Sequence, residues 1–171
     1  PRMPRTWGDS VVHVDEIDFL VEYEEPLLES LPGQKNKKVI ERIGHYVNLL
    51  VDDGATLQIG FGHLPDAVMP YLTDKKDLGI HTQVITDGLL PLFEKKVITN
   101  RKKNYLPDRV VASLCMGSKA LYDFVDNNPM FYFKSSEFVN DPNVIAKNDR
   151  LISISSALEV HLTGQVCTDS K

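Results

Sequence analysis

Between Val11 and Glu24 apolar and polar residues alternate (VVHVDEIDFLVEYE), a period of two that predicts a half-buried strand or two short ones. A proline-containing loop, EEPLLESLPGQ, follows. From Lys35 to Val51 the period changes: Val39, Ile40, Ile43, Tyr46, Val47 and Leu50 recur at steps of three and four, the pattern of an amphipathic helix, closed by Asp53-Gly54. ATLQIGFG then reads as a short strand running into glycines, and Pro65-Asp66 opens a second helix through Leu72. The alternation of strand and helix repeats. LGIHTQVI predicts a strand, DGLLPLFEKKV a helix despite Pro91, RVVASLCMG a buried strand, and SKALYDFVDNN a helix with Ser118 at its N-cap. MFYFKSS and RLISISSALEVHLTGQV return to strand patterning, the last run as an addition of antiparallel strands at an edge.

Strand-helix units at this spacing predict an α/β domain with a mostly parallel sheet flanked by helices. In such sheets ligands bind beyond the carboxyl ends of the strands. Three loops take that position: Gly60 to His63, His81 to Gly88, and Gly117-Ser118. All three are expected to open on one edge.

Composition narrows the partners. The 171 residues are 42% hydrophobic and 25% charged, an ordinary globular balance with core enough for one domain. No run of eighteen apolar residues implies a membrane span, and PRMPRTWGDS has no apolar stretch of the kind a signal peptide needs. Nineteen basic against 24 acidic residues give a net charge of −5, with only short basic clusters such as Arg101-Lys102-Lys103, which argues against a nucleic-acid surface. Two cysteines, Cys115 and Cys167, supply neither a metal spacing nor a disulfide framework. The expected setting is cytoplasmic, without metal, membrane or nucleic acid.

Taken singly, the polar motifs leave their readings open. QIGFGHLPDAV brings glycines to a strand end before a helix, where backbone N–H groups can approach an anionic ligand; a tight turn explains them equally well. The third glycine of a dinucleotide fingerprint is replaced by Pro65. His81 has no partner histidine at ligand spacing and reads as a structural hydrogen-bonding residue. Cys115, inside an apolar strand, reads as inert core, and Asp87-Gly88 as a helix cap and turn. Asp126 to Pro129 reads as a helix end, and Glu159 as a solvent-facing strand residue.

Their order carries more. GDSVVHVDEIDFLVE, LQIGFGHLPDAV, LGIHTQVITDG, MGSKALYDFVDNNP and ALEVHLTGQV, in sequence and at this spacing, resemble the acetyl-CoA hydrolase/transferase family, most closely its 4-hydroxybutyrate CoA-transferase branch. The resemblance implies a CoA-transferase-like fold of the NagB/RpiA/CoA-transferase type. It also implies that residues 1–171 are one segment of a longer enzyme, with residues 1–30 as a leading strand and linker and 31–171 as the catalytic-side domain, cut before a downstream glycine-rich CoA-binding stretch.

The activity it implies is transfer of CoA between short carboxylic acids through a glutamyl-CoA thioester, with acyl-CoA as substrate, no permanently bound cofactor, and room for a homo-oligomer. The family glutamate falls in an H-[ST]-E element, which here aligns with His81-Thr82-Gln83. Gln83 therefore stands where the nucleophile is expected. The resemblance assigns Gln58, Gly60, Phe61 and Gly62 to the glycine loop lining the thioester region, with Phe61 narrowing the acyl pocket. It assigns Gly117 and Asn128 as hydrogen-bonding groups near the site. Turnover by this chain is expected to be lost, which leaves a noncatalytic acyl-CoA binding module and an acetyl-CoA hydrolase as the other readings. Glu159, in a different element, is the least favoured substitute nucleophile.

Overall fold

In the computed structural model, which describes residues 3–30 and 37–168, the alternation of strand and helix builds one five-stranded parallel sheet. Its strands are β1 (Thr56–Ile59), β2 (Gly79–Ile85), β3 (Val110–Cys115), β4 (Phe131–Phe133) and β5 (Leu151–Ile154), in the order β4-β3-β2-β1-β5. The helices are α1 (Lys37–Leu50), α2 (His63–Val68), α3 (Leu90–Glu94), α4 (Lys119–Val125), α5 (Ser136–Asn140) and α6 (Pro142–Ile145). The chain steps outward from β1 to β4 and then returns to the far side of β1. Right-handed crossovers place the helices of the outward steps on one face and those of the return on the other. In agreement, α5 packs on β2 and β3, and the Nε2 atom of His81 lies 3.0 Å from the Val139 carbonyl of α5.

The opposite face carries the main core. Leu57, Ile59, Ile80, Val110, Ala112 and Phe131 meet Val68, Met69, Leu72, Leu89 and Leu92 there, all buried. Phe93 of α3, Phe124 of α4 and Phe131 of β4 form a tilted aromatic cluster with centroids 5.3–5.8 Å apart. Each fully buried Leu or Ile contributes about 2 kcal/mol through removal of apolar surface from water. Helix α1 turns Ile40, Ile43 and Val47 onto this core, and Gly44 lets the ring of Tyr71 approach to a distance that a Cβ would forbid. No helix among the described residues is long and apolar enough to cross a membrane.

Three sequence expectations need correction. The alternating run 11–24 is not a strand. It holds one 3₁₀ turn, Val14–Glu16, and is otherwise exposed, with Phe19, Leu20 and Val21 more than four-fifths accessible. Alternation is the pattern of a strand, but a strand also needs a backbone partner, and here the partner is taken upstream. Residues 7–9 pair with β4: Phe133 N–H donates to the Trp7 carbonyl and Asp9 N–H to the Phe133 carbonyl, both at 2.8 Å. The expected helix over 87–97 is shorter. A 3₁₀ turn, Asp87–Leu89, precedes α3, so Pro91 sits in a first turn where its missing N–H costs nothing. The last run divides: β5 joins β1 in parallel, and only β6 (Glu159–Val160) and β7 (Val166–Cys167) are antiparallel, as a ribbon separate from the sheet.

Candidate active site

The carboxyl ends of the strands lie along one edge, and the loops Gly60–His63, Thr86–Gly88 and Met116–Ser118 gather there. The edge is the one the sequence predicts, but the second loop is shorter than expected, because His81 to Ile85 belong to β2 and only Thr86–Gly88 lies beyond it. The strand order reverses between β1 and β5, the switch point of doubly wound sheets, and the cleft lies to one side of it, over the ends of β1, β2 and β3. Phe61, Gly62 and His63 from the first loop, with Thr86, Asp87 and Met116 from the others, line a cleft of about 160 Å³. Gly62 has φ 136°, a conformation that L side chains rarely adopt, so the turn from β1 into α2 needs glycine there. Phe61 is 65% exposed at the mouth.

Two carboxylates hold these loops together. Asp66 Oδ1, in the first turn of α2, accepts from the Thr86 hydroxyl at 2.5 Å and from Gly88 N–H at 2.7 Å. Asp87 accepts from Ser118 N–H at 2.8 Å and from the Ser118 hydroxyl at 2.6 Å. Ser118 is thus at the N-cap position of α4 but makes no capping bond of its own; Asp87, from another loop, supplies the acceptor and the negative charge that a helix N-terminus favours. Gly117 makes the approach possible, since a Cβ there would lie 2.4 Å from Asp87 Oδ2. Asp66, Thr86 and this second role of Asp87 escape a sequence reading, because each looks like an ordinary local cap. The signal was present in their placement, one acidic residue after each of two consecutive strands.

Gln83 lies in β2, third of the five strands, and it is exposed while every other residue of β2 is buried. Side chains alternate, so Gln83 shares the α5 face with His81. His81 is covered by α5; Gln83, one step nearer the open edge, is not. By register, Gly60 and Gln58 of β1 lie on this same face. Gln58 is half-buried and pairs with Ser153 of β5, and Gly60 is needed because a Cβ would meet the Ser155 side chain at 2.6 Å. Ser113 of β3 lies beside Gln83 in the register, and its buried hydroxyl has no hydrogen-bond partner among the described residues.

Gln58, Gly60, Phe61 and Gly62 therefore lie along the end of β1, the strand next to β2, and Gly117 lies on the same edge; Phe61 and Gly62 line the cleft, whereas Gln58, Gln83 and Gly117 do not. The Gly117 N–H, expected to serve a ligand, instead donates to the Tyr122 hydroxyl at 3.3 Å, and its carbonyl accepts from Ser30 N–H at 3.1 Å. Asn128 departs from expectation. It precedes β4 at the amino-terminal edge, opposite the cleft, where its amide donates to the Phe124 carbonyl and accepts from Met130 N–H. Its place is that of a helix-to-strand turn. Glu159 is exposed in the separate ribbon.

Buried ionisable groups surround the strand. Lys103, from the loop before β3, donates to the Ile80 carbonyl at 2.9 Å and to the Arg109 carbonyl at 2.7 Å, and burial pulls its amine down to about 7. Asn100 accepts from Ile80 N–H at 2.9 Å, so two side chains complete the peptide hydrogen bonds of β2 where β3 has not yet begun. Burial lowers the His81 pKa, reinforced by the Lys103 charge and opposed by the Val139 carbonyl. The Cys115 thiol, half-buried at the end of β3 rather than within the core, is pushed up to about 12 by burial and by Asp87. No group of three or more His, Cys, Asp or Glu side chains comes together as metal ligands would among the described residues.

Residues 117–171 match the family model for the acetyl-CoA hydrolase/transferase C-terminal domain. The whole chain has longer relatives. It is 50% identical over 168 residues to the 4-hydroxybutyrate coenzyme A transferase of Clostridium kluyveri, covering 98% of this chain and 39% of that protein. The chain belongs to the acetyl-CoA hydrolase/transferase family. A second relative, the succinyl-CoA:cyclohexane-1-carboxylate CoA transferase of Geobacter metallireducens, is 40% identical over 170 residues, 99% of this chain and 39% of that one.

The crystal structure of a 4-hydroxybutyrate CoA-transferase from Porphyromonas gingivalis superposes with TM-score 0.90 at 44% identity, covering 96% of this chain and 42% of that chain. RipA from Yersinia pestis does so with TM-score 0.91 at 37% identity, covering 99% and 39%. The sheet and its helices are thus those of CoA-transferases, and the chain spans about two fifths of the relatives it matches. The segment that carries Gln83 lies before the part matched by the family model but within the length shared with these relatives.

Proposed function

We propose that this chain is the part of an acyl-CoA:carboxylate CoA-transferase that carries the nucleophile position, and that Gln83 leaves that position without a nucleophile. The observation that carries the reading is the exposure of Gln83 in an otherwise buried central strand, next to the strand that leads into the glycine loop. A polar side chain gains nothing in stability from that place, and the family resemblance puts a glutamate there.

With a glutamate, the carboxylate attacks the thioester carbonyl, the C–S bond breaks, and CoA leaves as thiolate from a mixed anhydride. The thiolate then attacks the glutamyl carbonyl, releasing the first acid and leaving a glutamyl-CoA thioester. A second carboxylate runs the sequence in reverse and leaves with the CoA. Covalent catalysis of this kind splits one hard exchange into easier steps. The Gln83 amide keeps the shape of the carboxylate but not its charge, and the amide oxygen is too weak a nucleophile to open the cycle. Relatives named for 4-hydroxybutyrate and for succinyl-CoA make short acyl-CoA esters and short acids the substrate class to try first.

A second reading, that of an acyl-CoA binding module, rests on Gln83 itself, which preserves packing while removing charge. The test is exchange of labelled acetate into 4-hydroxybutyryl-CoA by the full-length protein, unmodified and as Gln83→Glu, with release to water followed in parallel. The transferase reading expects exchange only after the substitution. Release of free CoA without exchange would point to a hydrolase. Tight acyl-CoA binding with neither reaction in both proteins would leave the binding module.

A further inference from the structure

Thr82 is fully buried one residue before Gln83, and its hydroxyl does something a strand side chain rarely does. It accepts from Ile59 N–H at 3.0 Å and donates to the Ile59 carbonyl at 2.8 Å, satisfying both backbone groups of one β1 residue. The β1–β2 register runs Thr56–Gly79 and Leu57–Ile80 and stops there. On the outer sides pairing continues, β1 with β5 through Ile59–Ile154 and β2 with β3 through Ile85–Cys115. Among the described residues the β1–β2 seam is therefore open from Thr82 onward while both strands keep their outer partners; the β3–β4 pairing also ends early, at Ala112–Phe133, where the short edge strand β4 stops. In an unbroken parallel ladder the Ile59 N–H and carbonyl would pair with the His81 carbonyl and the Gln83 N–H. Thr82 takes their place and releases both from that rung.

We propose that Thr82 is the positioning residue of the site at residue 83: its hydroxyl holds β1 and β2 apart, so that the side chain and main-chain N–H of residue 83 face the loop Gly60–Gly62 across an open seam. The inference rests on reading residue 83 as the nucleophile position. A reacting group between the loop and residue 83 needs that separation, because closing the ladder would draw the two backbones to ordinary strand spacing, roughly 4.8 Å. Valine has the shape of threonine but cannot bridge to Ile59; serine can.

The test uses the full-length protein carrying Gln83→Glu, alone and combined with Thr82→Val or Thr82→Ser. Misplacement by an ångström predicts a kcat loss of roughly 100-fold in the valine variant. The KM for acyl-CoA should stay unchanged, and serine should restore most of the rate. Undiminished kcat in Thr82→Val, or equal losses with valine and serine that follow their losses of unfolding midpoint, would overturn the proposal and leave the functional reading intact. No transfer by Gln83→Glu alone would remove the functional reading and this inference with it. Amide hydrogen exchange on the unsubstituted protein gives a check that needs no variant to fold: Gln83 N–H should exchange faster than Val84 N–H, and equal protection of the two would contradict an open seam.

Discussion

Lys103 makes the stability of this domain depend on pH in a definite direction. Its amine is buried, donates to two backbone carbonyls and pairs with no carboxylate among the described residues, and burial brings its pKa to about 7 from an ordinary 10.5. A folded-state pKa below the unfolded one means that the unfolded chain binds the extra proton between these values, so stability rises with pH through that window. The full penalty holds below pH 7. Between pH 7 and pH 8.5 the two values imply a gain of roughly 1.5 kcal/mol, lessened to the extent that the two carbonyls hold the ammonium. Above pH 9 the Cys115 thiol acts in the opposite sense, because its folded pKa of about 12 lies above the ordinary value of 9.0, so the informative range ends there. The assay is urea unfolding at pH 7.0, 7.75 and 8.5, with Lys103→Met as the control. The midpoint should rise with pH in the parent and stay nearly flat in the variant. A flat parent, or an equal slope in Lys103→Met, would refute the assignment to this amine.

Asp87→Ala should destabilise the fold by about 2–4 kcal/mol, the loss of two charge-assisted hydrogen bonds and an α4 cap, read as a shift in urea midpoint. Gly117→Ala should cost a similar amount and add only part of that cost in an Asp87→Ala background, because the new Cβ would lie 2.4 Å from the Asp87 carboxylate and 2.7 Å from the buried Leu121 side chain, and Asp87→Ala relieves only the first collision. Cys115 should resist iodoacetamide at pH 8, where a thiol with pKa about 12 is thiolate at roughly one part in 10⁴; ready alkylation of the native protein at this half-buried residue would contradict the raised pKa.

The parts of the fold that were legible in the sequence are those where a local pattern and a tertiary partner agree. The period-3.6 run in α1 and the apolar strands β1, β2 and β3 fall where their spacing predicts because each has a face to bury. The run 11–24 has as clear a pattern and no strand partner, and periodicity alone does not report partners. The cleft edge was legible too, since a parallel sheet places its strand-end loops together whatever they contain. What sequence could not give is which polar residues meet across loops. Asp66 to Thr86 and Asp87 to Ser118 span 20 and 31 positions, and each residue has a sufficient local explanation as a cap or turn. Asn128 shows the converse: its place in a motif suggested the site, whereas its hydrogen bonds belong to a turn at the far edge.

The claim that residue 83 is the seat of covalent chemistry is tested most directly by trapping. The full-length protein, unmodified and as Gln83→Glu, would be incubated with 4-hydroxybutyryl-CoA, treated with borohydride, which reduces a glutamyl thioester to the alcohol, and digested for mass spectrometry. The account predicts a reduced side chain at residue 83 in the substituted protein and an unaltered glutamine in the parent. An adduct on another residue, or none in a Gln83→Glu protein that exchanges label, would contradict it.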